Sequence, residues 1–167
     1  SEFFPPISSS SDLSQYQIHA VNLKGFDASG KMQNSMMQVM AYNSQTSQFG
    51  SLSTNTRSFK HGYANDPAHR FSQVMAFYWL NLQKDYMTER TGAFFVSGQG
   101  IRVISYLPGI ANGYWNSKDE EMALGTTEDG NEFSLSAEVY AHEMGHANVT
   151  FATRKKIYEQ SGNVRSV

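Results

Sequence analysis

"EVYAHEMGHANV", residues 138–149, decides how the rest of the chain is read. It carries His142 and His146, four apart, with Glu143 beside the first. On an α-helix, residues four apart lie one turn apart on the same face. Both imidazoles can then reach one metal ion at about 2.0–2.1 Å. Glu143 sits about 100° round the axis. That is too far round for a natural third ligand, but close enough to touch a water on the metal and act as its general base. The pattern is specific when it falls on a helix, and it points to zinc-dependent hydrolysis. Two surface histidines and a solvated glutamate would give the same letters. Gly145 weighs against that alternative, because a glycine inside a helix costs roughly 1 kcal/mol against alanine. Close packing by another segment would be a reason to keep it.

The flanking sequence supplies the helix. Ser134 or Ser136 can cap it, and Glu138 falls in its first turn, where the helix dipole favours negative charge. The spacing predicts a helix over residues 137–152. Upstream, "DPAHRFSQVMAFYWLNLQKDYMTERTG" predicts a long helix, with Asp66 as N-cap, Pro67 at the first helical position and Gly92 just past the end. Phe71, Val74, Met75, Tyr78 and Leu82 mark its expected buried face. Residues 14–50 read as strands. Tyr16, Ile18 and Ala20 alternate with polar neighbours, and Met36, Gln38, Met40 and Tyr42 alternate with Met37, Val39 and Ala41, with a turn in "GFDASGKM" between them. Residues 43–65 have no clear period. "AFFVSG" and "IRVISYL" add two β-like runs. Residues 1–13, with Pro5-Pro6 and four serines, read as an extended lead-in. Strands, helix, strands, helix make an α+β fold, expected as a single domain over 1–167.

Composition sets wider limits. The chain has 167 residues, 40% hydrophobic and 17% charged, with a net charge of −2. That is enough to bury a core, and nothing in it suggests nucleic acid or an anionic membrane as partner. No stretch is long and apolar enough to span a bilayer. There are no cysteines, so disulfide and thiol chemistry are excluded within the chain. No signal peptide is visible at Ser1, as would also hold for a processed N-terminus.

The third metal ligand decides the class of hydrolase. The pattern HExxHxxGxxH fails, because Val149 and Ala152 stand at the matching positions. Glu159 is the acid downstream, but beside Lys155 and Lys156 it reads as an exposed surface residue. His61 and His69 show no metal spacing, and His19 reads as a strand residue. Glu128, Asp129 and Glu132 read as a solvated acidic turn.

With these motifs in place, the sequence resembles the thermolysin-like zinc metallopeptidases, or gluzincins. "AEVYAHEMGHANV" resembles their zinc helix, including an acid four before the first histidine. "ANGYWN", residues 111–116, resembles their Asn-Ala-Phe-Trp segment, the edge strand on which peptide substrates lie. "MALGTTEDGNEFSLS" resembles the approach to the helix. "KKIYEQSGN" resembles a loop before a glutamate-bearing helix. The resemblance implies His142 and His146 as zinc ligands and Glu143 as catalytic base. It implies Asn112 and Gly113 as the substrate-positioning strand, needed for main-chain atoms, with Tyr114 and Trp115 lining or supporting the cleft. It implies Tyr158 as the hydroxyl that steadies the oxyanion. Calcium is common in the family, and Glu138 is the better placed candidate, either for that ion or as support behind the zinc ligands. A secreted location is implied as well.

The departures carry expectations of their own. The family's third ligand, a glutamate soon after the Ser-Gly, has no counterpart before Val167, and neither does the C-terminal helical portion with its catalytic histidine. The chain is therefore expected to be the N-terminal half of a catalytic unit, inactive alone, with the remaining ligand supplied by a C-terminal partner portion. A non-catalytic metal- or peptide-binding module on the same fold is the alternative. An aminopeptidase is a weaker one, since no acidic residues for capturing a free amine are evident.

Overall fold

The computed structural model describes residues 23–54, 66–92, 94, 100–128 and 130–163, with side chains described up to 156. The lead-in, the early strand around Tyr16–Ala20, "AFFVSG" (apart from Phe94), His19, His61 and Asp129 lie outside the described residues.

Among the described residues, five strands form one mixed sheet: β1 (Met37–Asn43), β2 (Gln48–Gly50), β3 (Ile101–Ile104), β4 (Gly113–Asn116) and β5 (Glu121–Leu124). Their order is β2-β1-β3-β5-β4. β1 and β2 make an antiparallel hairpin, with Asn43 opposite Gln48. β1 then pairs in parallel with β3, Met37 opposite Ile101. A parallel pair needs a long crossover, and α1 (Arg70–Thr91) lies in the connection. β3 also pairs in parallel with β5, and β4 returns antiparallel on β5. A 3-10 turn (Phe133–Leu135) leads into α2 (Ala137–Asn163).

The alternation in β1 is present, with Met37, Val39 and Ala41 on the buried side. Met37 and Val39, with Ile101, Val103, Met122 and Leu124, form the floor of the core. Ala76, Phe77 and Leu80 of α1, and Tyr140, Met144, Ala147 and Phe151 of α2, cover it. Fully burying a Phe, Leu or Met side chain contributes about 1.5–3 kcal/mol each. The α2 set is spaced four, three and four apart, the interval of one helical face.

Three expectations are corrected. α1 begins at Arg70, after Asp66 and Pro67 have formed a turn. Asp66 still caps the entry, accepting hydrogen bonds from the Ala68 and Arg70 amides at 3.2 and 2.9 Å. The residue at the N-cap itself is His69, held in left-handed geometry at φ 45°. Second, the buried residues of α1 are Phe71, Ser72, Gln73, Ala76, Phe77 and Leu80; of the expected set Phe71 is buried, whereas Leu82 is 47% exposed. Because α1 touches both the sheet and α2, its apolar residues spread over more than one face, and their spacing alone does not single out the central one. Third, α2 runs on past residue 152 to Asn163, so "KKIYEQSGN" is largely helical where a loop was expected. At the far end of α1, Gly92 adopts φ 69° and its amide closes onto the Thr88 carbonyl, the expected C-terminal cap.

Burial opposes ionisation of Asp66, but hydrogen bonds from the Arg70 side chain and from the Arg70 and Ala68 amides prevail and hold its carboxyl below the usual range. A lowered folded-state pKa contributes stability above the unfolded value of 3.8, lost as pH falls through the folded value. Asp66→Ala is therefore expected to cost about 1 kcal/mol near pH 7. The gap to the variant should shrink in acid as the wild type loses the Asp66 charge, which thermal unfolding between neutral pH and acid would measure.

Candidate active site

α2 performs three tasks on three sides of one cylinder. Successive residues turn by about 100°. Tyr140, Met144, Ala147 and Phe151 therefore share the core side. His142 and His146 share the opposite side and are exposed, together with Val149 at 67% exposure. Val139, Glu143 and Thr150 fall between, on the flank turned toward β4.

That flank meets β4 at close range. A Cβ on Gly113 would stand 3.0 Å from both the Val139 and Leu124 side chains and 3.6 Å from a Glu143 carboxylate oxygen. Gly113 thus lets the helix lie against the strand. Between them opens a groove of about 800 Å³. Asn112, Trp115, Phe133, Ser136, Glu138, His142, Glu143 and His146 are among its lining residues. The residues expected to form the site therefore come together, apart from Tyr158, which lies in α2 with its side chain outside the described residues.

The two histidine Nε2 atoms stand 3.1 Å apart, with their rings nearly perpendicular. An ion holding both at about 2.0–2.1 Å in tetrahedral geometry needs them roughly 3.3 Å apart. The pair therefore fits a common metal ion. No group of three or more metal-binding side chains gathers among the described residues. Glu143 is 6% exposed and lines the groove beside the pair. Glu138 is exposed at the groove's edge. The packing reason expected for Gly145 is not found among the described residues: nothing lies within 4 Å of its would-be Cβ.

β4 is the last strand of the sheet among the described residues. Asn112 presents its carbonyl to the Gly125 amide at 2.9 Å. Main-chain groups alternate sides along an antiparallel strand. Tyr114 and Asn116 therefore also face β5, opposite Ala123 and Glu121. The amide and carbonyl groups of Gly113 and Trp115 point to the open edge. Of the segment "ANGYWN", it is thus Gly113 and Trp115, rather than Asn112, that offer unpaired main-chain groups. An alternation count from the Asn112 bond identifies them, but the sequence gives no phase for that count.

Side chains brace this wall. Trp115 packs edge-on against Phe151, and its indole donates to the Thr150 hydroxyl at 3.1 Å. The Tyr114 hydroxyl lies 3.4 Å from Glu121, and burial first, then Glu121, raises its pKa. Arg154 donates to the Ser117 carbonyl and pairs with Glu120 at 2.7 Å.

The acidic turn before α2 departs from expectation. Glu132 is 8% exposed, not solvated. His69 Nδ1 donates to it at 2.7 Å, and the Ser72 and Ser134 hydroxyls donate as well. The His69 ring stacks on Tyr106 at 3.4 Å. A buried carboxylate needs such donors, since leaving it unpaired costs several kcal/mol. Burial first, then the Glu132 charge, pushes the Tyr140 hydroxyl well above its ordinary pKa. The network ties the start of α1 to the entry of α2. Neither His69 nor Glu132 announces this in sequence, because they are 63 residues apart.

The family model of the thermolysin metallopeptidase catalytic domain matches residues 5–150. The chain belongs to that family. Among solved structures, the chain is similar to the precursor of protealysin, a metalloproteinase from Serratia proteamaculans, at 14% identity and a TM-score of 0.47. That match covers 81% of this chain and 39% of the other, so the chain spans well under half of the protealysin precursor's length. Comparison with curated proteins finds no match. No helix among the described residues is long and apolar enough to cross a membrane.

Of the described glycines, Gly125 leaves the least room for a side chain. A Cβ there would fall 1.8 Å from the Ile110 carbonyl oxygen. Gly125→Ala is expected to cost on the order of 3 kcal/mol or more. Gly113→Ala, which meets only side-chain atoms, should cost far less. Denaturant unfolding of the two variants would show the contrast.

Proposed function

We propose that this chain contributes the metal-binding helix and the substrate strand of a zinc-dependent endopeptidase. The observation that carries the reading is the convergence of the His142 and His146 Nε2 atoms, 3.1 Å apart, beside the buried Glu143 in a groove walled by a sheet edge. His142 and His146 would hold the zinc ion. When bound, zinc supplies Lewis acidity that polarises a scissile carbonyl and brings the pKa of water down to about 7.

The rest follows from the chain's own residues. An extended peptide lies along β4 and pairs with the outward amide and carbonyl groups of Gly113 and Trp115, by strand addition to a free edge. That places a peptide bond against the histidine side of α2. Glu143 takes the proton of the attacking water and passes it to the departing amine. Its position in a partly enclosed groove strengthens that exchange, since charge interactions weaken less there than in open water. Asn112 shapes one end of the groove, and Tyr114 and Trp115 support its wall. Tyr158 takes the oxyanion-steadying role on its match to the family motif. A C-terminal helical portion supplies a glutamate as third ligand and a second catalytic histidine. Secretion is proposed on the same family grounds.

The experiment is zinc analysis and peptide cleavage with the full-length protein. His142→Ala or His146→Ala should lose stoichiometric zinc. Glu143→Gln should keep zinc while kcat falls by roughly 10²–10⁴-fold. A zinc-free wild-type protein, or a Glu143→Gln variant as active as the wild type, would overturn the reading.

A further inference from the structure

One hydroxyl joins the two sides of the groove. Thr150 Oγ1 accepts a hydrogen bond from Trp115 Nε1 at 3.1 Å and donates one to the His146 main-chain carbonyl at 2.9 Å. Trp115 belongs to β4, where its main-chain groups face the open edge. His146 belongs to the metal-binding pair on α2. The hydroxyl has one proton and can use its lone pairs at the same time. Both bonds can therefore exist together, with the direction fixed: the indole can only donate and the carbonyl can only accept.

Two neighbouring contacts show where this bridge falls. At one end of β4, Gly113 lies against Val139 and Glu143 with no room for a larger side chain to intrude without adjustment. Just past the other end, Arg154 holds the Ser117 carbonyl. Steric contact sets the spacing at the first point and a charged side chain at the last. Between them Trp115 is carried by Thr150 and by the edge of Phe151. Phe151 is an apolar contact that tolerates sliding. The Thr150 hydroxyl is the directional one.

We infer that Thr150 is a positioning residue: through Trp115 it fixes the outward main-chain groups of β4 relative to the metal-binding histidines, and so sets the groove's grip on an extended peptide. The inference rests on the peptidase reading given above. Its specific consequence is dependence on substrate length. A peptide long enough to reach Trp115 uses the position that Thr150 fixes. A dipeptide derivative spanning only the scissile bond does not.

The test uses the zinc-loaded, full-length protein with Thr150→Val, which keeps shape and removes the hydroxyl, and Thr150→Ser, which keeps the hydroxyl. Thr150→Val should raise KM for long peptides by roughly 3- to 10-fold relative to short ones, the loss expected for one hydrogen bond. Thr150→Ser should restore most of the difference. Independently of cleavage, the Trp115 indole proton should exchange with solvent faster in Thr150→Val than in the wild type or Thr150→Ser. An equal effect on long and short peptides, or equal behaviour of the two variants, would overturn the inference. Unchanged indole exchange in Thr150→Val would overturn it as well. If the unaltered protein cleaves no peptide, the peptidase reading fails, and the indole exchange alone then decides whether the bridge holds β4.

Discussion

The contact on which the site depends is the approach of α2 to the edge strand at Gly113. A Cβ there would press on the Val139 and Leu124 side chains at 3.0 Å, so the helix lies as close as the bare strand allows without adjustment. That single approach brings Glu143 to the strand, turns His142 and His146 toward the groove and leaves the open edge of β4 alongside them. The core side of the helix makes the approach durable. Tyr140, Met144, Ala147 and Phe151 are buried against the sheet and α1, so rotating the histidines away would expose all four. Position and chemistry are thus fixed by the same apolar packing.

Polar contacts then refine what packing sets. Glu132 is a buried carboxylate satisfied by donors from α1 and from the 3-10 turn. It ties the entry of α2 to the start of α1. Arg154 does similar work on the exposed side, bridging the turn between β4 and β5 through Glu120 and Ser117. The first is worth more per contact, because burial removes the competition from water that weakens the second.

Much of this was legible in the sequence because it is local. The HEMGH spacing, the alternation in β1 and the Gly92 cap each need only a few neighbouring residues to be read. What the sequence hid was long-range. The buried state of Glu132 depends on His69 and Ser72, which are distant in the chain, so an acid in a turn looked solvated. The central face of α1 was misplaced because Leu82 and Tyr78 have the right spacing for burial, and only the position of α2 shows which stripe meets the core. The outward phase of β4 is set by one bond, Gly125 to Asn112, and side-chain identity carries no trace of it. The expected reason for Gly145 was not met either, since its flank is open among the described residues.

The shortness of β4 has a consequence for selectivity. Four residues, Gly113 to Asn116, with every second one facing outward, leave two gripping points. They are roughly 7 Å apart, the repeat of an extended chain. Under the proposed function, an edge of that length would work as a two-notch ruler. It would sense whether a guest backbone is straight over a pair of residues and be blind to what those residues are. Any preference among side chains would then be written elsewhere in the groove.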